Sequence, residues 1–183
     1  MKTIRILILI LISYLQLNAQ DFQFAWLTDL HIGFTNADVD LENCIKSVGI
    51  DGAENMINKA NSLSPNLKYI QADLDNLNYN EKFDVVFSME VLYYLKDPLK
   101  TLKYIYSKMI NDNGFFIMGI DHYLENKSSL SWPKDLDLDL KTLQIDDWVK
   151  IVQLAGFKNV IYEQVGGKEN WAGTLVIYAQ KKS

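Results

Sequence analysis

The sequence predicts an α/β protein with a mostly parallel sheet, helices on both faces and an antiparallel strand pair at its end. Three observations predict it. From Ala53 onward, short apolar segments with strand patterning alternate with amphipathic helical segments. One of those strands, Phe83–Ser88, is nearly all apolar, as a strand covered on both faces must be. The two last apolar segments, 159–164 and 173–180, are separated by Gly166-Gly167 with no helix between them, so they form a terminal strand pair.

The elements follow in order. Phe22, Phe24 and Trp26 alternate with Gln23 and Ala25, which predicts a strand over 22–28. Asn36-Ala37-Asp38 supplies turn and N-cap chemistry for a short helix, Val39–Lys46. Val48–Asp51 is the next strand and follows almost without a loop, an unusually abrupt join. Ala53–Ser62 is a helix with Met56, Ile57 and Ala60 on one face, broken by Ser64-Pro65-Asn66. Leu67–Gln71 is a strand, Asp73–Asn80 a polar loop, and Phe83–Ser88 the buried strand. Leu99, Leu102, Ile105, Tyr106 and Met109 mark a helix from Pro98 to Ile110, with Pro98 in its first turn. Asn113-Gly114 turns into the strand Phe115–Ile120. A polar segment, 121–143, precedes the helix Asp146–Ala155, which Gly156 stops. Trp148 and Trp171 sit in apolar patterns and read as core.

The chain has 183 residues, 49% apolar and 22% charged, enough for one domain with a sizeable core. Its net charge of −5, and a single arginine at Arg5, make nucleic acid an unexpected partner. The lone Cys44 excludes an intrachain disulfide and reads as a buried structural thiol. Residues 1–19 have a basic start (Lys2, Arg5), an apolar run Ile6–Leu17, and Leu17-Asn18-Ala19 before Gln20. They read as a signal peptide cleaved after Ala19, with an uncleaved membrane anchor as the alternative. The apolar run is short for a membrane span. A used leader implies a secreted or periplasmic location.

In open α/β sheets, ligands sit beyond the carboxyl ends of the strands. Asp51 ends one strand, Asp73 follows the next, and Ser88-Met89-Glu90 caps a third. A carboxylate there can accept both hydroxyls of a ribose, although N-cap and turn chemistry would place the same residue types there. Val48-Gly49-Ile50-Asp51, Gln71-Ala72-Asp73, Phe83-Asp84-Val85-Val86-Phe87-Ser88-Met89-Glu90-Val91-Leu92, Leu95-Lys96-Asp97-Pro98 and Asn113-Gly114 together resemble the class I S-adenosylmethionine-dependent methyltransferases. The resemblance covers about 48–180 and is strongest to the small-molecule subgroup that includes quinone C-methyltransferases. It implies a Rossmann-like sheet, S-adenosylmethionine as cofactor and a small-molecule methyl acceptor. By it, Asp51 binds the ribose, Asp73 the adenine amino group, and Ser88 with Glu90 lie near the methionine end. The segment from Asp121 to Pro133 offers acceptor contacts, with Tyr123, Glu125, Asn126 and Trp132 as candidates. His122 is a candidate general base, since its pKa lies near neutrality; the alternative is a surface loop packed by Tyr123 and Trp132.

The family's glycine-rich loop should lie about 20 residues before the ribose acid. That window here is Asp29–Phe34, with Gly33 as its one glycine and bulky Leu30, Ile32 and Phe34 around it. Backbone approach to the cofactor and positive φ both favour glycine, so weakened binding is expected. Ala25-Trp26-Leu27-Thr28-Asp29-Leu30-His31-Ile32-Gly33 instead resembles the first motif of calcineurin-like metallophosphoesterases, whose Asp-x-His pair binds metal. Two-metal hydrolysis needs further His, Asp and Asn ligands, and the chain has two histidines, so Asp29 and His31 read as a vestigial pair and no metal is expected. The domain reading is a signal peptide over 1–19, a metallophosphoesterase-like βα fragment over 20–46 and a truncated methyltransferase domain over 47–183, joined near Ile45–Ser47. The fragment is expected to take the first position of the sheet. The functional reading is methyl transfer to a small molecule, impaired by the missing loop, or a non-catalytic chimeric remnant. A cytoplasmic location belongs to the methyltransferase parent.

Overall fold

The computed structural model describes residues 23–28 and 46–183. The expected signal peptide, Cys44 and the Asp29–Phe34 window with Asp29 and His31 lie outside the described residues, as do Ile45 of the expected join and all of the helix expected over Val39–Lys46 but its last residue, Lys46, which starts a strand instead.

Seven strands form one sheet: β1 (Gln23–Thr28), β2 (Lys46–Asp51), β3 (Lys68–Gln71), β4 (Phe83–Met89), β5 (Ile110–Ile120), β6 (Lys158–Val165) and β7 (Thr174–Gln180). Their order is β3-β2-β1-β4-β5-β7-β6. The first five run parallel, and β7 pairs antiparallel with both β5 and β6. β1 lies inside the sheet between β2 and β4, with Ala25 opposite Val48 on one side and Val86 on the other. Ala25 and Leu27 are buried in the main core, as an interior strand requires. The chain reverses direction across β1, so the carboxyl ends of β1 and β4 flank the topological switch point where such sheets bind ligands.

The helices are α1 (Glu54–Leu63), α2 (Pro98–Tyr104), α3 (Trp132–Leu136) and α4 (Ile145–Leu154). α1 buries Ile57 and Ala60, two of the three residues expected on its inner face, and Met56 packs partly against them. α4 buries Ile145, Trp148 and Val152 at helical spacing and ends at Gly156, whose φ of +118° a side chain would resist. The main core joins these to Phe83, Val86, Phe116, Met118 and Ile177 from the sheet.

One expectation is corrected. The helix from Pro98 does not run regularly to Ile110: it becomes a π turn over Ile105–Met109. Ser107 Oγ donates to the carbonyls of Lys103 and Tyr104, a back-bonding that loosens a helix at this point. Ile110 then already pairs with Phe83, and the register shifts before Phe115 pairs with Val85. Asn113, at φ +66°, and Gly114 lie inside that excursion rather than ahead of the strand. Gly114 must be glycine, because a Cβ there would stand 2.8 Å from the Asp84 carbonyl. The polar segment 121–143 has local structure of its own. It holds a 3-10 turn, Lys127–Ser129, and α3. Trp171 is only partly buried, unlike Trp148.

Candidate functional site

The carboxyl ends of β2, β4 and β5 carry Asp51, Glu90 and Asp121. Asp51 ends β2 and is only 6% exposed. Its Oδ1 accepts from the Ala53 backbone N–H at 2.6 Å, and its carbonyl accepts from the Ala72 N–H, which ties the ends of β2 and β3 together. Asp73 is exposed and caps the 3-10 turn Leu74–Asn76. Its carboxylate accepts from the Asn76 side-chain amide and the Asp75 N–H, which hold its pKa below the ordinary value. The sequence placed both carboxylates on this rim, and the structure brings them there with local backbone partners as well.

Ser88 lies on β4 in register with Leu27 of β1 and Met118 of β5. It is 1% exposed and its hydroxyl has no hydrogen-bond partner among the described residues. Such a group is rare in a folded interior and asks for a reason. Glu90 follows β4 with φ +57°, a left-handed conformation that costs a non-glycine residue energy. Its carboxylate receives two short bonds, 2.6 Å from the Tyr93 hydroxyl and 2.7 Å from the Asp121 N–H. Its own N–H donates to the Gly119 carbonyl. Glu90 therefore clips the end of β4 to the end of β5. Burial, and the Glu90 charge beside it, drive the Tyr93 pKa far above its ordinary value and keep that hydroxyl a donor.

The 121–143 segment divides differently from the sequence expectation. His122 is fully buried; its Nδ1 donates to the Ser129 carbonyl at 3.0 Å, which leaves Nε2 to accept from the Thr142 hydroxyl at 2.7 Å. Its ring lies edge-on to Tyr93 and stacks near Trp132. Burial lowers its pKa. With both nitrogens engaged it has no free position for general-base work, so the candidate base is corrected to a framework residue. The Tyr123 hydroxyl donates to the Gly173 carbonyl and accepts from Gln164. The Asn126 amide bridges the Asp121 carbonyl and the Ala172 N–H. Glu125 caps α4 by accepting from the Ile145 N–H. All three brace the segment through these bonds, and Glu125 remains exposed. Trp132, partly buried, stacks between His122 and Trp171 and remains on the segment's aromatic side.

Asp121 is the residue the sequence analysis passed over. Its Oδ1 is buried without a partner among the described residues, and burial pushes its pKa up from the ordinary value, partly offset by a bond from Thr174. The signal was available: like Asp51, it is an acid at the end of a strand. Among the described residues no group of three or more His, Cys, Asp or Glu is placed to hold a metal.

Residues 32–118 match the family model of the methyltransferase domain, a match that begins ahead of the expected join. A curated relative, malonyl-[acyl-carrier protein] O-methyltransferase 1 of Ilyobacter polytropus, is 29% identical over 111 residues, which are 59% of this chain. The chain spans about 39% of that relative's length. The fold is that of S-adenosylmethionine-dependent methyltransferases. An example from Mesorhizobium loti superposes with a TM-score of 0.72 at 15% identity, covering 92% of this chain and 95% of that one. N-methyltransferase NodS from Bradyrhizobium japonicum, solved with S-adenosyl-L-homocysteine, gives a TM-score of 0.67 at 15% identity over 89% of this chain and 80% of its own. A chain from the methyltransferase-activator complex of Haloferax volcanii reaches 0.76 at 19% identity, covering 93% and 88%.

Proposed function

We propose that the protein is an S-adenosylmethionine-dependent methyltransferase acting on a small molecule. The observation that carries this reading is the row of acids at the carboxyl ends of β2, β4 and β5, on either side of the switch point at β1. The donor set fits the cofactor. A buried carboxylate at Asp51 suits a ribose, the exposed Asp73 suits an amino group beside it, and the unpartnered Ser88 hydroxyl supplies hydrogen-bonding capacity the fold itself does not use. The cofactor, when bound, supplies an electrophilic methyl group on a sulfonium centre. The protein's own part is to hold and orient. Glu90, clipped to Tyr93 and the Asp121 N–H, fixes the position of the β4 end against β5, and a rigid frame of this kind is what proximity catalysis requires.

The proposal includes a reduced affinity. Asp29–Phe34 precedes Asp51 by the interval at which a glycine loop would stand, and its sequence holds one glycine. Fewer backbone donors to the methionine end would cost several kcal/mol. The alternative, a non-catalytic remnant, draws on the same window. Thermal denaturation with S-adenosylhomocysteine separates the two: a binder melts at higher temperature as ligand rises. Absence of any shift at millimolar ligand would overturn the methyltransferase reading.

A further inference from the structure

We propose that Asp121 selects the methyl acceptor, and that the acceptor presents a nitrogen carrying hydrogens. The inference rests on the methyltransferase reading and names the substrate class for the same site. Asp121 follows β5 directly, one strand further from Asp51 and Asp73 than Glu90 is. A cofactor held by the β2 and β3 ends at its nucleoside therefore extends toward Glu90, and what meets it from beyond meets Asp121.

The chemistry of that position is specific. Asp121 Oδ1 is buried without a donor, an arrangement that folded proteins avoid unless something else fills it. Its own backbone N–H is spent on Glu90 and its backbone carbonyl on Asn126. Among the described residues the ion pairs join Lys46 and Lys68 to Glu81 and Lys181 to Asp112, so no described lysine neutralises Asp121. Glu90 places a second carboxylate beside it. Two acids with an unfilled acceptor oxygen repel an anionic nucleophile such as a carboxylate or phenolate. They favour a neutral amine, whose N–H groups donate to the carboxylates while its lone pair stays free to take the methyl group. Burial raises the Asp121 pKa, consistent with an oxygen lacking a donor.

The test needs no knowledge of the acceptor. Sinefungin carries an amine where S-adenosylmethionine carries the sulfonium methyl, and S-adenosylhomocysteine carries neither. Calorimetric titration of the full chain should show sinefungin binding about tenfold more tightly than S-adenosylhomocysteine, because a nearby carboxylate stabilises the amine cation. Asp121→Asn should bring the two affinities within about twofold while leaving S-adenosylhomocysteine binding unchanged. Asp121→Glu, which keeps the charge, should retain part of the preference. An equal sinefungin preference in wild type and Asp121→Asn overturns the inference. So does a loss of S-adenosylmethionine binding as large as the loss of sinefungin binding, since the carboxylate would then serve the sulfonium. If none of the three ligands binds the wild-type chain, the methyltransferase reading fails and the inference falls with it.

Discussion

The two ends of the parallel sheet are built to opposite rules. At the amino ends of the strands, charges are matched. Glu81 pairs with Lys46 at the start of β2 and with Lys68 at the start of β3, and accepts from the Tyr79 hydroxyl as well. Asp84 receives the Gln23 N–H from β1 and the Asn111 amide from β5. Lys181, just past β7, donates to the Ile110 carbonyl and pairs with Asp112. At the carboxyl ends the fold leaves Ser88 Oγ and Asp121 Oδ1 buried and unpartnered, and holds Glu90 in a left-handed conformation. Two of the three buried, unpartnered side-chain atoms among the described residues lie toward this end, Trp148 Nε1 on α4 being the third, and a ligand there would have use for them.

If the two ends differ in this way, variants should separate binding from stability. The largest effect is expected for Asp51→Asn. It keeps an oxygen for the Ala53 N–H but loses the charge, so S-adenosylhomocysteine affinity should fall on the order of 10- to 100-fold in calorimetry, with little change in melting. Asp84→Ala should do the reverse. It leaves the Gln23 N–H and the Asn111 amide without their acceptor, which should cost about 1–3 kcal/mol in denaturant unfolding and leave ligand affinity intact. A loss of affinity in Asp84→Ala would merge the two ends and break the comparison.

Acid should act on the two regions in different windows. Burial depresses the His122 pKa below its ordinary 6.5, so the stability it contributes is complete above that value and declines as pH falls below it. His122→Gln should flatten that step in melting temperature against pH. Glu81 is held down to about 2 from an ordinary 4.5, first by Lys46, then by Tyr79 and Lys68. Its contribution is complete above 4.5 and is lost as pH falls through about 2. Glu81→Gln should remove that lower step, the smallest of these effects, because the cluster is solvent-exposed and screened by salt.

The sheet was legible because its signals are local. The apolar run Phe83–Ser88 and the alternation of strands with helices predicted the strands to within one or two residues at most ends. The passage from α2 into β5 was not legible. Ile105 and Met109 sit at helical spacing whether the turn is α or π, and the Ser107 back-bonds and the pairing of Ile110 with Phe83 are tertiary facts. At the candidate site, Asp51, Asp73 and Glu90 could be placed from their positions at strand ends. The roles of His122, Tyr123, Glu125 and Asn126 could not, because their partners Thr142, Gly173, Ile145 and Ala172 are up to 50 residues away in sequence. A polar residue in a loop above the sheet looks the same in sequence whether it faces a ligand or braces the loop. Only the partner list distinguishes Asp121, which keeps an oxygen unfilled, from Asn126, which keeps nothing.

On the proposed reading the carboxyl rim binds a nucleoside cofactor while the amino rim only holds the sheet. The most direct measurement is titration of S-adenosylhomocysteine into wild type, Asp51→Asn and Glu81→Gln by calorimetry at neutral pH. Wild type and Glu81→Gln should bind equally, and Asp51→Asn should show a marked loss. Equal binding by all three, or no heat from any of them at millimolar ligand, would contradict that reading.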